Sequence, residues 1–281
     1  MNPIVEQLRM MPALRVVVAH AATRIGRGLT WSAMSLALLG SVRASQAEAA
    51  PPSVLPGLGP AATREAVDAN QSPWRGVVRV QTDVGLHCTG ALVDPRVVLT
   101  AAHCLVGRGT GRLVRPASIH VLTGYSHGEY AGHARAVIVE IGSGFAVGPD
   151  GQRLPSSPPD ADWAILTLDT PLGTADRLLP LVRELPPAGT PVMLGGYEQD
   201  RAQVIIADVA CLMIGAIHDG NALMLHHSCA GTRGVSGAPL LARMPGRGWG
   251  VVGIASVAGV GTSGGLAVPA AAIAAHSGVL P

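Results

Sequence analysis

Three short segments of the sequence carry side chains that could act together as a nucleophile, a base and an acid. His103 follows an apolar run and two small residues in the stretch VVLTAAHC, residues 97–104. Asp162 begins an apolar run in DADWAIL, residues 160–166. Ser236 stands in the glycine-containing stretch GTRGVSGAPL, residues 231–240. The chemistry that such a set performs is nucleophilic attack by a hydroxyl.

Each segment suits its own part of that chemistry. The small alanines leave room for an imidazole at a strand end, and Cys104 could tie the turn to Cys88. A carboxylate at the edge of a core needs a hydrogen-bond donor, which an imidazole N–H supplies. Glycines around Ser236 allow a tight turn whose N–H groups converge on one point, as an oxyanion requires. Alone, each has an ordinary structural explanation; the three together indicate catalysis.

The composition indicates a compact, strand-rich protein. Of the 281 residues, 48% are hydrophobic and only 14% are charged, which excludes a disordered chain. The 36 Gly and 22 Pro lie among short apolar runs, as in a fold of short strands joined by turns. Net charge is only +2 and no Lys is present, so nucleic acid is not an expected partner. The fold class that this predicts is all-β.

Two sets of predicted strands are separated by a connector at residues 170–191. The first set comprises residues 77–81, 97–100, 119–123, 136–141 and 163–168. The second set comprises residues 192–194, 204–213, 223–226, 250–256 and 266–268. A proline, Pro269, precedes an alanine-rich stretch and predicts a short C-terminal helix. We therefore expect two similar β-barrels and one helix.

The first 49 residues have the order of a secretory signal, with arginines followed by an apolar run and small residues up to Ala49. The alternatives are an arginine-containing extension, a start at Met11, or a retained anchor, for which the apolar run is short. We predict a signal peptide at 1–49, a linker or propeptide at 50–72, and a folded domain at 73–281. Its parts are barrel one at 73–170, barrel two at 190–268 and a helix at 269–277. A secreted protein without a membrane partner is expected after signal removal.

The chain has four cysteines, Cys88, Cys104, Cys211 and Cys229. An even number in an exported chain favours two disulfides, for which the sequence alone allows three pairings. The alternative is zinc, because histidines lie beside several of the cysteines. Since no Cys-x-x-Cys motif is present, we expect no metal site.

At this point the motifs Thr-Ala-Ala-His-Cys (100–104), Asp-x-Ala (162–164) and Gly-x-Ser-Gly (234–237), in this order, resemble those of trypsin/chymotrypsin-like serine proteases. The resemblance runs from about residue 73 to 276, and residues 211–240 are most similar to the bacterial glutamyl-endopeptidase-like branch. It implies two six-stranded antiparallel barrels with a short C-terminal helix. It also implies that Cys88 pairs with Cys104 and Cys211 with Cys229.

The resemblance also implies the role of each site residue. Ser236 would be the nucleophile, His103 the general base and then acid, and Asp162 the group that orients the imidazole. The N–H groups of Gly234 and Ser236 would form the oxyanion hole. The implied substrate-binding residues are Ala230, Arg233, Ala255, Ser256 and Val257. Residues 253–256, Gly-Ile-Ala-Ser, resemble the Gly-Ile-Val-Ser strand of the family. The family commonly has Trp-Gly after this strand, whereas this chain has Val257-Ala258, which leaves the shape of the substrate subsites open.

The function expected from this resemblance is a secreted, monomeric serine endopeptidase that needs no cofactor and acts on proteins or peptides. The alternative is a secreted double-barrel binding protein without catalysis. An α/β-hydrolase is excluded, because no acidic residue follows Ser236. A subtilisin-like enzyme is not expected either, because the sequence lacks the alternation of strands and long helices that this fold needs.

The sequence differs from trypsin at two places, which lead to expectations about substrate specificity and about activation. The segments expected to line the specificity pocket, 230–235 and 255–261, contain no Asp or Glu, so a small or medium uncharged substrate residue is expected there. Val235 stands where trypsin-type zymogens carry the Asp that pairs with a new N-terminus. Residues 51–71 are therefore expected to act at most as a steric cap over the cleft.

Overall fold

The chain folds into two closed antiparallel β-barrels followed by a short helix. The structure, a computed structural model, describes residues 55–107 and 109–276. The strands are β1 (Glu65–Val67), β2 (Val77–Thr82), β3 (His87–Asp94), β4 (Val97–Thr100), β5 (Ile119–Thr123), β6 (Gly132–Ile141), β7 (Ala164–Leu168), β8 (Pro191–Gly196), β9 (Ile205–Asp219), β10 (Ala222–His227), β11 (Pro239–Met244), β12 (Gly248–Ala258) and β13 (Gly265–Pro269), and the helix is α1 (Ala270–His276). The predicted signal peptide lies outside the described residues.

Each barrel has six strands. The first closes in the order β2-β3-β4-β7-β6-β5, and the second in the order β8-β9-β10-β13-β12-β11. The predicted all-β fold, with two six-stranded barrels and a C-terminal helix, is confirmed. Within the described residues, no helix is long and apolar enough to cross a membrane.

Buried aliphatic side chains fill both barrels. Val78, Leu92 and Leu166 pack inside the first barrel. Leu194 and Leu240 pack inside the second, together with the Cys211–Cys229 disulfide. A further cluster draws side chains from both barrels, and its members include Trp74, Leu99, Trp163, Tyr197 and Ile254. Because apolar burial dominates folding energetics, this shared cluster fixes the two barrels against each other and so defines the cleft between them.

Three strands were not predicted from the sequence. Gly90 lies within β3 and Pro239 begins β11, and both residue types weaken the sequence pattern of a strand. Gly90 is needed because a Cβ there would lie 2.8 Å from a methyl group of Val98. The third, β1, is only three residues long and pairs with β9 through the registers Glu65↔Ala207 and Val67↔Ile205.

Parts of the described stretch 55–72 therefore pair with the second barrel, whereas the sequence predicts a folded domain that begins near residue 73. Besides the β1 pairing, the Gly57 N–H donates to the Gly259 carbonyl at 2.6 Å, and the Gly57 carbonyl accepts from Gly231 at 3.1 Å. These contacts are made by backbone groups, so they cannot be predicted from the pattern of side chains.

Two disulfides join the cysteines in the pairing that the family resemblance implied. Cys88 bonds to Cys104 and Cys211 bonds to Cys229, across sequence separations of 16 and 18 residues. Each loop closure stabilises the fold by about 3 kcal/mol on the chain-entropy estimate. Cys88, Cys104 and His103 lie close enough together for a metal site, but the two sulfurs are bonded to each other and offer no thiolate.

Candidate active site

The three predicted catalytic side chains meet at one cavity. This cavity has a volume of about 330 Å³, and His103, Asp162 and Ser236 line it together with residues of β12. His103 and Asp162 come from the ends of first-barrel strands, whereas Ser236 comes from a loop between β10 and β11 of the second barrel. The cleft thus collects groups that are far apart in the sequence.

His103 lies in a single 3-10 turn, Ala102–Leu105, directly after β4. Ala101 and Ala102 are fully buried, so larger side chains would not fit beside the ring. The Cys88–Cys104 disulfide ties this turn to β3. About a third of the His103 side chain, 32%, remains exposed and faces the cavity.

Asp162 is a buried carboxylate whose oxygens accept three hydrogen bonds. Its Oδ1 accepts from the backbone N–H of His103 at 2.9 Å, and its Oδ2 lies 2.7 Å from His103 Nδ1. The Ser256 hydroxyl donates to the same Oδ2 at 2.5 Å. Because the backbone and ring of His103 are both held, the imidazole has one fixed orientation and its Nε2 is left for chemistry.

The electrostatics of this pair suit a general base. Burial by itself would lower the pKa of His103, but the charge of Asp162 and its hydrogen bond to the ring act more strongly in the opposite direction. The pKa of His103 is therefore raised above its ordinary value of 6.5. The Asp162 interactions that raise this pKa are the ones that stabilise the imidazolium formed when the ring accepts a proton.

Ser236 stands on a turn that only glycine permits on both sides. Gly234 and Gly237 have φ angles of +96° and +81°. A Cβ at Gly234 would lie 2.2 Å from the Tyr197 carbonyl oxygen, and one at Gly237 would lie 2.2 Å from the Thr100 hydroxyl. These two close approaches explain the glycines of the Gly-x-Ser-Gly motif, and they present the Ser236 hydroxyl at the cavity.

In this turn the carbonyl groups accept hydrogen bonds, whereas two N–H groups have no acceptor within the described part of the chain. The Thr89 hydroxyl donates to the Gly234 carbonyl at 2.7 Å, and the Thr89 N–H donates to the Ser236 carbonyl at 3.0 Å. Among the described residues, the N–H groups of Gly234 and Ser236 have no acceptor. Two free amides beside a hydroxyl are the donors that a developing oxyanion needs. Among the described residues, the Ser236 hydroxyl makes no hydrogen bond to the His103 ring.

Val235, between these amides, faces the interior. It is buried and packs in the same cluster as the Cys211–Cys229 disulfide. An apolar, buried side chain at this position cannot receive an ammonium group. The turn is thus anchored by packing at Val235.

Four of the five predicted substrate-binding residues line the cavity: Arg233, Ala255, Ser256 and Val257. Ala230 does not. It is buried, and its N–H donates to Asp208 Oδ2 at 2.8 Å behind the cavity wall. The neighbouring residues Gly231, Thr232 and Arg233 line the cavity instead.

Sequence reasoning missed several residues around the site, and His227 is one of them. It lines the cavity but is only 2% exposed. Burial and the neighbouring His226 lower its pKa to about 4, so the ring is neutral at pH 7. Its place at the end of β10 gave no signal, because adjacent histidines in a strand have no characteristic function.

Glu198 was missed as well, although it is completely buried. It follows β8, and Arg64 forms an ion pair with its carboxylate. Burial is the largest influence on it and raises its pKa to about 7, against the opposing effects of the Thr232 N–H and Arg64. No motif marks either charged residue, because they are 134 positions apart.

Comparison with known proteins places these features in context. The sequence matches the model of the trypsin family over residues 62–276. A tryptase of Mus musculus is 33% identical over 138 residues, which are 46% of this chain and 45% of the tryptase, so the chain spans less than half of that relative. The solved structure of a Glu endopeptidase in complex with MPD is similar in fold, with a TM-score of 0.62 and 19% identity over 77% of this chain and 95% of that one.

Proposed function

Because the chain belongs to the trypsin family of serine proteases, we propose that it is a secreted endopeptidase that hydrolyses peptide bonds with Ser236, His103 and Asp162. The observation that carries this proposal is the fixed pair of Asp162 and His103, which opens on the same cavity as Ser236. A double barrel that served only for binding would have no need for the bound carboxylate or for two free amides at the serine turn.

The first half of the reaction forms an acyl-enzyme. Ser236 Oγ attacks the substrate carbonyl carbon while His103 Nε2 takes the hydroxyl proton, and Asp162 stabilises the resulting imidazolium. The carbonyl oxygen becomes an oxyanion and accepts hydrogen bonds from the N–H groups of Gly234 and Ser236. When the tetrahedral intermediate collapses, the C–N bond breaks and His103 gives its proton to the leaving amine.

The second half repeats these steps with water as the nucleophile. His103 takes a proton from a water molecule as its oxygen attacks the acyl carbon, and the same two amides bind the oxyanion. Collapse breaks the ester bond, the proton returns to Ser236 Oγ, and the acid product leaves. Atoms and charges balance without a cofactor.

Substrate preference follows from the charges around the cavity. Asp162 is its sole carboxylate among the described residues, and three donors already occupy it. A Lys or Arg side chain would therefore be buried without a partner, which is costly. His227 is neutral at pH 7, and the two arginines that line the cavity, Arg153 and Arg233, are exposed to solvent. These features support cleavage after small or medium uncharged residues.

Secretion is supported by the charge and hydropathy pattern of residues 1–49 and by the two disulfides. Expression in a bacterial host should give protein outside the cytoplasm, with its N-terminus cut near Ala47 or Ala49. Full-length protein retained in the cytoplasm, with four free thiols, would contradict this part of the proposal.

The direct test of the proposed chemistry is turnover of a peptide substrate by the Ser236→Ala variant. We expect a loss of roughly 10⁴- to 10⁶-fold, and little further loss when His103→Ala is added, because the residues act as a unit. Ser118→Ala is the matched control, since Ser118 lies in a turn of the first barrel and does not line the cavity. Near-wild-type turnover by Ser236→Ala would overturn the proposal.

A further inference from the structure

Glu198 is a buried acid that lies directly against the serine turn. Its side chain is 0% exposed. A Cβ added at Gly234 would lie 3.1 Å from the Cα of Glu198 and 2.2 Å from the carbonyl oxygen of Tyr197. The backbone around Glu198 is therefore the surface on which Gly234 packs.

Glu198 and its neighbour hold the two residues that precede Gly234. Glu198 Oε2 accepts the N–H of Thr232 at 3.0 Å. The backbone N–H of Gln199 donates to the Arg233 carbonyl at 2.7 Å, and its side-chain amide donates to the Thr232 hydroxyl at 3.2 Å. These contacts determine how the chain enters the Gly234 peptide, whose N–H is one of the two free amides.

The cation that neutralises Glu198 comes from outside both barrels. Arg64 Nη1 pairs with Glu198 Oε2, and its other nitrogen, Nη2, lies 2.8 Å from Asp200 Oδ2. The Arg64 side chain is only 8% exposed. It is held there because the next residues form β1 on the edge of β9. A carboxylate buried this completely needs such a partner, since an unpaired buried charge is strongly unfavourable.

We propose that Arg64 is a positioning residue for the oxyanion hole: by pairing with Glu198 it keeps that carboxylate in place as the acceptor for Thr232, and thereby fixes the Gly234 N–H. This inference rests on the proposed peptidase function. The pairing group is a side chain within the chain, so the arrangement needs no newly cut N-terminus. It also makes the segment around Arg64 a part of the working enzyme, rather than only the steric cap that the sequence suggested.

The test compares Arg64→Gln with Asp200→Asn. Asp200→Asn is the matched control, because it removes the other acidic partner of the same arginine and leaves Glu198 and its bond to Thr232 untouched. We expect Arg64→Gln to lower kcat by about ten- to a hundredfold with KM changed by less than about threefold, since an oxyanion donor acts in the transition state. Asp200→Asn should stay within about threefold of wild type.

A second readout isolates the oxyanion hole. A peptide aldehyde forms a hemiacetal with Ser236 whose oxygen occupies the oxyanion hole. In Arg64→Gln, its inhibition constant should therefore rise by a factor similar to the fall in kcat. Glu198→Gln keeps a neutral acceptor for Thr232 and no longer needs a cation. In the Glu198→Gln background, Arg64→Gln should therefore change kcat by less than about threefold. A purely structural role for Arg64 would not move the aldehyde affinity and kcat together in this way.

Equal kcat and aldehyde affinity in Arg64→Gln and Asp200→Asn would overturn the inference, as would an equal loss from Arg64→Gln in both backgrounds. If Arg64→Gln does not fold, Arg64→Lys takes its place, with an expected threefold to tenfold fall in kcat that Glu198→Gln abolishes; no fall contradicts the inference. Failure of the proposed function would show differently, as a wild-type protein that cleaves no peptide and binds no aldehyde.

Discussion

The hydroxyl of Thr89, on β3 of the first barrel, donates a 2.7 Å hydrogen bond to the carbonyl of Gly234 in the second barrel. Thr89 is fully buried, and its hydroxyl also accepts the Tyr197 N–H at 3.0 Å. Because this hydrogen bond holds the Gly234 carbonyl, the Gly234–Val235 peptide group cannot rotate to another orientation. One side chain thus couples the packing of the two barrels to the geometry of the serine turn.

Thr89→Val should remove this restraint while keeping the shape of the side chain. It leaves the Gly234 carbonyl and the Tyr197 N–H without a partner, which costs about 1–3 kcal/mol each when such groups stay buried. We expect kcat to fall by about ten- to a hundredfold. Thr89→Ser keeps the hydroxyl and should restore most of the activity. Steady-state kinetics of the two variants make the comparison, and equal kcat in both would show that the hydroxyl is not needed.

Activity should rise with pH through an apparent pKa above 6.5, because His103 must be neutral to act as a base. Burial would lower the pKa of His103, but the charge and hydrogen bond of Asp162 raise it further, so the ring holds its proton to a higher pH than a free imidazole. The measurement is the pH profile of kcat/KM. Asp162→Asn should lose about 10⁴-fold in kcat, as in characterised serine proteases. A profile with its midpoint well below 6.5 would contradict this account of the pair.

Peptide cleavage should occur after small or medium uncharged residues. Peptides with Ala or Val on the acyl side of the cut should be cleaved at least tenfold faster than those with Arg or Lys. A small side chain that fills the pocket incompletely loses less binding energy than a charged side chain buried without a partner. A cleavage profile over a peptide library measures this. Strong selectivity for Arg or Lys would reject the prediction. Selectivity for Glu would reject it too, and its loss in Arg233→Gln would then assign that selectivity to the exposed arginine.

Folding stability should decrease between pH 5 and pH 8 through Glu198. Burial raises its pKa to about 7 from 4.5, so the folded state binds this proton more tightly than the unfolded chain. The contribution is complete below pH 4.5 and is lost as the pH rises through 7. Relative to Glu198→Gln, wild type should lose about 2.5 kcal/mol of unfolding free energy over this range. Urea unfolding at both pH values tests this. Parallel pH dependence in the two proteins would mean that Glu198 is already ionised at pH 5.

The candidate catalytic residues could be proposed from the sequence because their signals are local. His103 and Ser236 each lie in a short motif with small residues, and these are small because neighbouring atoms leave no room for larger side chains. The close contacts that a Cβ would make at Gly237 are an example. The two barrels followed from strand and turn patterns. What could not be predicted depends on distant single residues: Thr89 reaches Gly234 across 145 positions, and Arg64 reaches Glu198 across 134. A lone threonine or arginine has no pattern, and only the folded chain brings these partners together.

The central claim is that Ser236 is an activated nucleophile, and site mapping with a fluorophosphonate probe tests it most directly. The probe phosphonylates a serine hydroxyl only when a base removes its proton, so it reports activation independently of substrate preference. The wild-type protein should carry one label, which peptide mass spectrometry places on Ser236, and labelling should be lost in Ser236→Ala and strongly slowed in His103→Ala. Folded wild-type protein that takes up no probe, or a label that persists in Ser236→Ala, would contradict the account.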